Sequence, residues 1–173
     1  MMQHAPLFIV LLPVSAALLC MLFSRMQKNL GSWIVIGSIA AAFMSAVTVL
    51  QQVIADGGKP IHYWMGNWQP PLGIEFVIDP ISGVLAVLIT FISLLGSIYS
   101  LPFVKEEGWL HIGGYYTLYG LMTVGMCGMV ITGDVFNLYV FLEVMSLSGY
   151  GLIALGGKKS MLAAFRYLLI GTI

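Results

Sequence analysis

The sequence predicts an all-α, polytopic transmembrane helical bundle: five full spans, a shorter sixth, and the amino terminus outside. Three observations predict it. Of 173 residues, 60% are hydrophobic and only 8% charged, against about 25% charged in a soluble domain. The apolar residues gather into runs of about 20, the length that crosses a hydrocarbon layer. The basic residues fall between those runs with a strong bias to one side. Lipid as the outer solvent removes the need for a charged surface. The seven Lys/Arg and seven Asp/Glu cancel, so no basic face suggests nucleic acid. No nucleotide, flavin, haem or iron–sulfur motif is present, and no cofactor is expected. Cys20 and Cys127 stand far apart inside apolar runs and read as small core residues, not as a disulfide or metal site.

The first run extends from about Pro6 to Ser24. A secretory signal is the alternative, but Met1 to Pro6 holds no Lys or Arg, whereas Arg25 and Lys28 follow the run. That order is the reverse of a signal peptide, and no small-x-small cleavage site precedes them. Leu18-Leu19-Cys20 is a poor lipobox. The segment is therefore read as a span. The second runs from about Ser32 to Ile54. The third starts near Pro80 and ends by Leu101, where Pro102 is expected to stop it. The fourth covers about Ile112 to Ile131, and the fifth about Asp134 to Leu155, before Gly156-Gly157. A sixth opens near Ser160 and has 14 residues to Ile173, too few to cross. Either the chain is a fragment or another polypeptide completes the fold. All 173 residues are read as one transmembrane domain.

Arg25 and Lys28, Lys105, and Lys158 and Lys159 occupy the connections after the first, third and fifth spans. By the positive-inside rule that side is cytoplasmic; the other side keeps only Lys59. The long outer loop, Ala55 to Val77, holds His62, Tyr63, Trp64 and Trp68, residues suited to the headgroup belt. Ile61 to Met65 and Ile74 to Ile78 favour strand and Gly66-Asn67 a turn, so a surface hairpin is expected. His62 is read as a wet interfacial histidine, with a ligand or proton relay as the alternative.

Asp79-Pro80 has the form of a helix start, Asp as cap and Pro at the first helical position. Gly133-Asp134 opens the fifth span similarly. The alternative for both carboxylates is cation gathering at a channel mouth. Glu106 and Glu107 beside Lys105 read as a solvated patch, and His111 as an entry-side residue of the fourth span, with proton uptake as the alternative. Ser93, Gly96, Ser97, Gly120, Gly125 and Gly128 read as close-packing positions between helices.

Glu143 stands apart. It lies nine residues into the fifth span, a rise of about 13 Å at 1.5 Å per residue, near the middle of a hydrocarbon core about 30 Å thick. A carboxylate facing lipid there costs several kcal/mol, so it should face protein or water. Burial penalises the charged form, which lets such a group load and release a proton. Tyr139, Ser146 and Tyr150, at i−4, i+3 and i+7, share its side of the helix; Asn137 lies off that stripe. The alternative is a structural Glu that bonds a neighbouring helix and never titrates. Arg166, about 9 Å deep in the sixth segment, either snorkels to the surface or reaches toward Glu143.

The stretch Gly133-Asp134-Val135-Phe136-Asn137-Leu138-Tyr139-Val140-Phe141-Leu142-Glu143-Val144 resembles the fifth-helix signature of the proton-conducting, antiporter-like membrane subunits. Mrp-type sodium/proton antiporters, respiratory NADH–quinone oxidoreductase (complex I) and membrane-bound hydrogenases contain such subunits. Pro70-Pro71-Leu72-Gly73-Ile74 through Asp79-Pro80-Ile81-Ser82 is similar to the family's outer loop and third helix, and Ala163-Ala164-Phe165-Arg166-Tyr167 to its sixth. The Asn137 pattern and the Pro-Pro-Leu-Gly loop most resemble the D-type members of the Mrp antiporters and their hydrogenase relatives. The resemblance implies about fourteen helices with two inverted repeats of roughly five helices, each holding a broken helix; this chain is similar to the amino-terminal part. It also implies that Glu143 is the carboxylate that pairs with a lysine on a broken seventh helix, outside these residues. The expected partners are other membrane subunits of a hetero-oligomeric complex, protons and in some members Na+, and the bilayer. The expected location is the cytoplasmic (inner) membrane of a prokaryote. Three functions compete: a non-catalytic proton-translocating subunit, a structural membrane scaffold, and an unrelated small transporter or quinone-site protein.

Overall fold

The computed structural model describes residues 4–27, 30–68, 73–104 and 109–171. In chain order these form α1 (Ala5–Met26), α2 (Leu30–Ala55), β1 (Ile61–Trp64), β2 (Glu75–Ile78), α3 (Pro80–Tyr99), α4 (Leu101–Val104), α5 (Trp109–Ile131), α6 (Val135–Ala154) and α7 (Lys158–Gly171). Helices α1, α2, α3, α5 and α6 are each long and apolar enough to cross a membrane, as the five runs predict. The 14 residues of α7 reach about 21 Å. Lys28, Lys105, Glu106, Glu107 and Pro70 to Leu72 lie outside the described residues, as does the side chain of Lys158.

Helix α3 ends by Leu101 as expected, but the role of Pro102 differs. Pro102 does not stop α3. That helix ends at Tyr99, and Pro102 sits inside the single turn α4. A proline in a first helical turn forfeits no hydrogen bond, because the amides there have no intrahelical acceptor.

Helix α1 packs on α2 and α5, α2 on α3, and α3 on α5, which closes a four-helix bundle. Helix α6 packs mainly on α5 and α7, outside that bundle. The inward side of α3 is made of small residues. On α3 the buried set is Ser82, Gly83, Ala86, Thr90, Ser93 and Ser97, while Ile81, Leu88, Ile92, Leu95 and Tyr99 face outward. Lipid is as apolar as a leucine side chain, so burial of large apolar groups gives helices no reason to associate; close approach and hydrogen bonding do. Accordingly the Tyr119 hydroxyl donates to the Ser93 carbonyl (3.0 Å) and seats over Gly96, which has no Cβ to obstruct it. Tyr116, 1% exposed, donates to the Ser97 carbonyl at 3.3 Å and meets Ser100 Oγ at 3.1 Å. Thr117 Oγ1 donates to the Ala17 carbonyl, tying α5 to α1. Cys20 and Cys127 are both buried and free.

The hairpin forms as expected, antiparallel, with Ile61 opposite Ile78 and Tyr63 opposite Phe76. Its turn starts with a short 3-10 segment, Met65–Asn67, in which Gly66 adopts φ 66°, a backbone region that disfavours a side chain. Phe76 and Ile78 point into the bundle end and are fully buried among Ile9, Val49, Val53 and Ile131. Asp79 then opens α3 with a reciprocal cap: its Oδ1 accepts from the Ser82 amide (2.7 Å) and its amide donates to Ser82 Oγ (2.8 Å). The capping reading of that Asp is what the structure shows.

Candidate functional site

Helix α6 is anchored before it begins. The Asp134 carboxylate accepts from the Phe136 amide at 3.0 Å, the expected cap. Asn137 Nδ2 donates to Thr132 Oγ1 at 3.1 Å, and Asn137 is one of only two buried residues on the helix, with Ser148. The side that meets α5 is set by glycines. A Cβ at Gly125 would stand 2.7 Å from the Met145 amide nitrogen, and one at Gly128 would overlap the Phe141 ring. Phe141, Met145 and Ser148 therefore form the α5-facing side.

Glu143 is two residues beyond Phe141, about 200° around the helix. It lies on the side turned away from α5 and is half-buried. Tyr139, 60% exposed, stands one turn earlier, with its hydroxyl close enough to the Glu143 carboxylate to interact with it. Ser146 is half-buried one turn later. Tyr150 is drawn elsewhere: its ring packs edge-on against Tyr167 at 4.9 Å, and its hydroxyl sits over Gly171, where any Cβ would collide. Tyr139 thus stands on the Glu143 side of α6, while Tyr150 is committed to α7. Arg166 is exposed on α7, and among the described residues the ion pair formed is His62–Glu75, not Arg166–Glu143. His111 is half-buried at the start of α5.

A second polar group lies on the hairpin. His62 Nδ1 is 2.8 Å from Glu75 Oε1, and Trp64 Nε1 donates to the same oxygen at 3.0 Å. These hydrogen bonds, His62 first, hold the Glu75 carboxyl below the ordinary carboxylate range. The amide and hydroxyl of Ser82 do the same for Asp79. His62 is exposed, as an interfacial histidine should be, but has a specific acidic partner. His4 Nδ1 meets the Tyr63 hydroxyl at 2.9 Å. Glu75, Phe76 and Thr132 escape the sequence reading. Their partners are 13 or more residues away or in another element, and neither period nor local motif reports such contacts.

No protein-family model matches the chain. It is 40% identical over 172 residues to a protein of Desulforudis audaxviator named NADH-quinone oxidoreductase subunit N, covering 99% of this chain and 34% of that one. It is 28% identical to the D-type subunit of a Na+/H+ antiporter from Alkalihalophilus pseudofirmus, over 98% of this chain and 34% of the relative. Among solved structures, a chain of the membrane-bound sulfane sulfur reductase, an archaeal respiratory membrane complex, superposes with a TM-score of 0.88 at 29% identity, covering 98% of this chain and 34% of that chain. The chain spans about a third of the length of the curated relatives it matches.

Proposed function

Since the chain belongs to the family of antiporter-like membrane subunits, we propose that it is the proton-translocating part of such a subunit, with Glu143 as the proton carrier. The observation that carries this reading is the placement of Glu143. It lies mid-way along a spanning helix, beside Tyr139, on the side that α5 leaves open. A charged side chain at the bilayer centre costs about 3 kcal/mol on insertion scales. Such a group persists where protein or confined water covers it, so in the assembled complex this stripe faces protein. Tyr139, and Ser146 one turn on, supply hydroxyls able to pass or orient a proton. The partners on this reading are other membrane subunits, with protons and in some members Na+ as the ions moved. Energy comes from an ion gradient or from redox events in those partners. On this reading the positive-inside rule puts the hairpin on the outer side, and the membrane is the cytoplasmic membrane of a prokaryote.

The test is ion coupling in the assembled complex carrying Glu143→Gln, after native gels establish assembly equal to wild type. Loss of about a hundredfold or more in proton or sodium movement is expected, the scale of a lost proton-transfer group. Unchanged coupling means that the chain is a scaffold and that the ion path lies in its partners.

A further inference from the structure

The hairpin and the Glu143 helix meet at one place, and the meeting is tight. The Gly133 amide, next to the cap of α6, donates to the Glu75 carbonyl at 2.9 Å. Phe76 bridges to Thr132 across an isolated antiparallel pairing. Its buried ring also approaches that of Phe141, two residues before Glu143, at 6.4 Å. Gly133 permits the approach: a Cβ there would stand 2.5 Å from Val77 Cγ2. Its φ is not positive, so space alone, not backbone conformation, calls for glycine. The other end of the connection is held as well, because Thr132 Oγ1 accepts from Asn137 on the first turn of α6. Glu75 thereby joins three elements. Its carboxylate holds His62 and Trp64 of β1, and its carbonyl holds the residue before the α6 cap.

We propose that strand β2 is a clasp that positions Glu143: Glu75 and Phe76 fix the start and rotation of α6, with Gly133 as the point of closest approach. This rests on the reading of Glu143 as proton carrier, through which the clasp acts. Helix α6 is stiff over the roughly two turns from Val135 to Glu143. A small rotation at its start therefore turns the carboxylate toward or away from whatever covers the stripe. The titratable groups around the clasp are His4, His62, Tyr63, Glu75 and Asp134; beside Glu143 it is Tyr139.

The experiment compares Gly133→Ala, Glu75→Ala and Glu75→Gln with wild type in the assembled complex. It reads amide hydrogen exchange over 133–141 and the pH profile of ion movement. Gly133→Ala, and Glu75→Ala by releasing β1 from the strand whose main-chain carbonyl holds Gly133, should raise exchange at the start of α6 about tenfold, with α3 unchanged, and move the pH profile by about one unit. Glu75→Gln keeps an acceptor for Trp64 and should stay near wild type in both. If Gly133→Ala fails to assemble, Val77→Ala in the same chain removes the colliding methyl and should restore assembly and exchange. Failure of that restoration overturns the clasp. Unchanged exchange in Gly133→Ala and Glu75→Ala also overturns it, whatever Glu143 does. Raised exchange with an unmoved pH profile overturns the positioning role. Failure of the carrier reading shows separately, in Glu143→Gln.

Discussion

Single side chains here do work that their type announces and their partners refine. Asp79 is the clearest case, because its cap satisfies an amide that would otherwise be unpaired at a helix start. Replacing it with Ala should cost about 1–2 kcal/mol and speed exchange of the first α3 amides; unchanged exchange over residues 81–83 would sink this account. Glu75 carries a pH prediction. Its folded carboxyl is held below its ordinary range by His62 and Trp64. The stabilisation is therefore complete above the ordinary carboxylate value of about 4.3 and is lost as pH falls through the lowered one. Asp79 has the same sign. Trp64 fluorescence should stay constant at neutral pH and change on acidification below about pH 4. A change already complete by pH 6 would contradict the assignment.

Between helices, the contact of α5 with α6 is built on absent side chains. Gly125 faces the Met145 main chain and Gly128 the Phe141 ring. A ring can tilt, but a helix backbone cannot give locally. Gly125→Ala should therefore cost more than Gly128→Ala, on the order of 1–3 kcal/mol as for other overpacked sites. Gly37→Ala meets no atom within 4 Å and should be neutral or slightly stabilising. Thermal inactivation of the three variants in one detergent checks the order; Gly37→Ala as the worst of the three would refute it. Element identity was legible in the sequence, since five apolar runs became five spanning helices and the turn residues gave the hairpin. The role of Pro102 was not, because a proline is equally suited to stopping one helix and starting another turn.

At the level of the assembly, α6 lies outside the four-helix bundle, and its Glu143 side has no cover from α5. Tyr139 is 60% exposed in this chain. A Tyr139→Cys variant should react with a membrane-permeant maleimide in the isolated chain and be protected in the assembled complex. Equal reactivity in both would place lipid, not protein, against the stripe. The likeness of the Pro-Pro-Leu-Gly loop to the D-type antiporter members does not sort the branches: identity is 40% to the N-type oxidoreductase relative and 28% to the D-type antiporter one.

Composition and spacing were enough for the number of spans, the hairpin, the caps and a carboxylate mid-way along the fifth span, because each follows from local chemistry: hydropathy, turn preference, or rise per residue. Tertiary structure alone decided which neighbours those groups keep. Tyr139 stays with Glu143 while Tyr150 turns to Tyr167 and Gly171, and Glu75 meets Gly133 across 58 positions. In lipid every face of a spanning helix is apolar, so hydropathy cannot say which face packs. The fit of glycines against rings and main chain makes that choice, and such fit exists only once the helices are side by side.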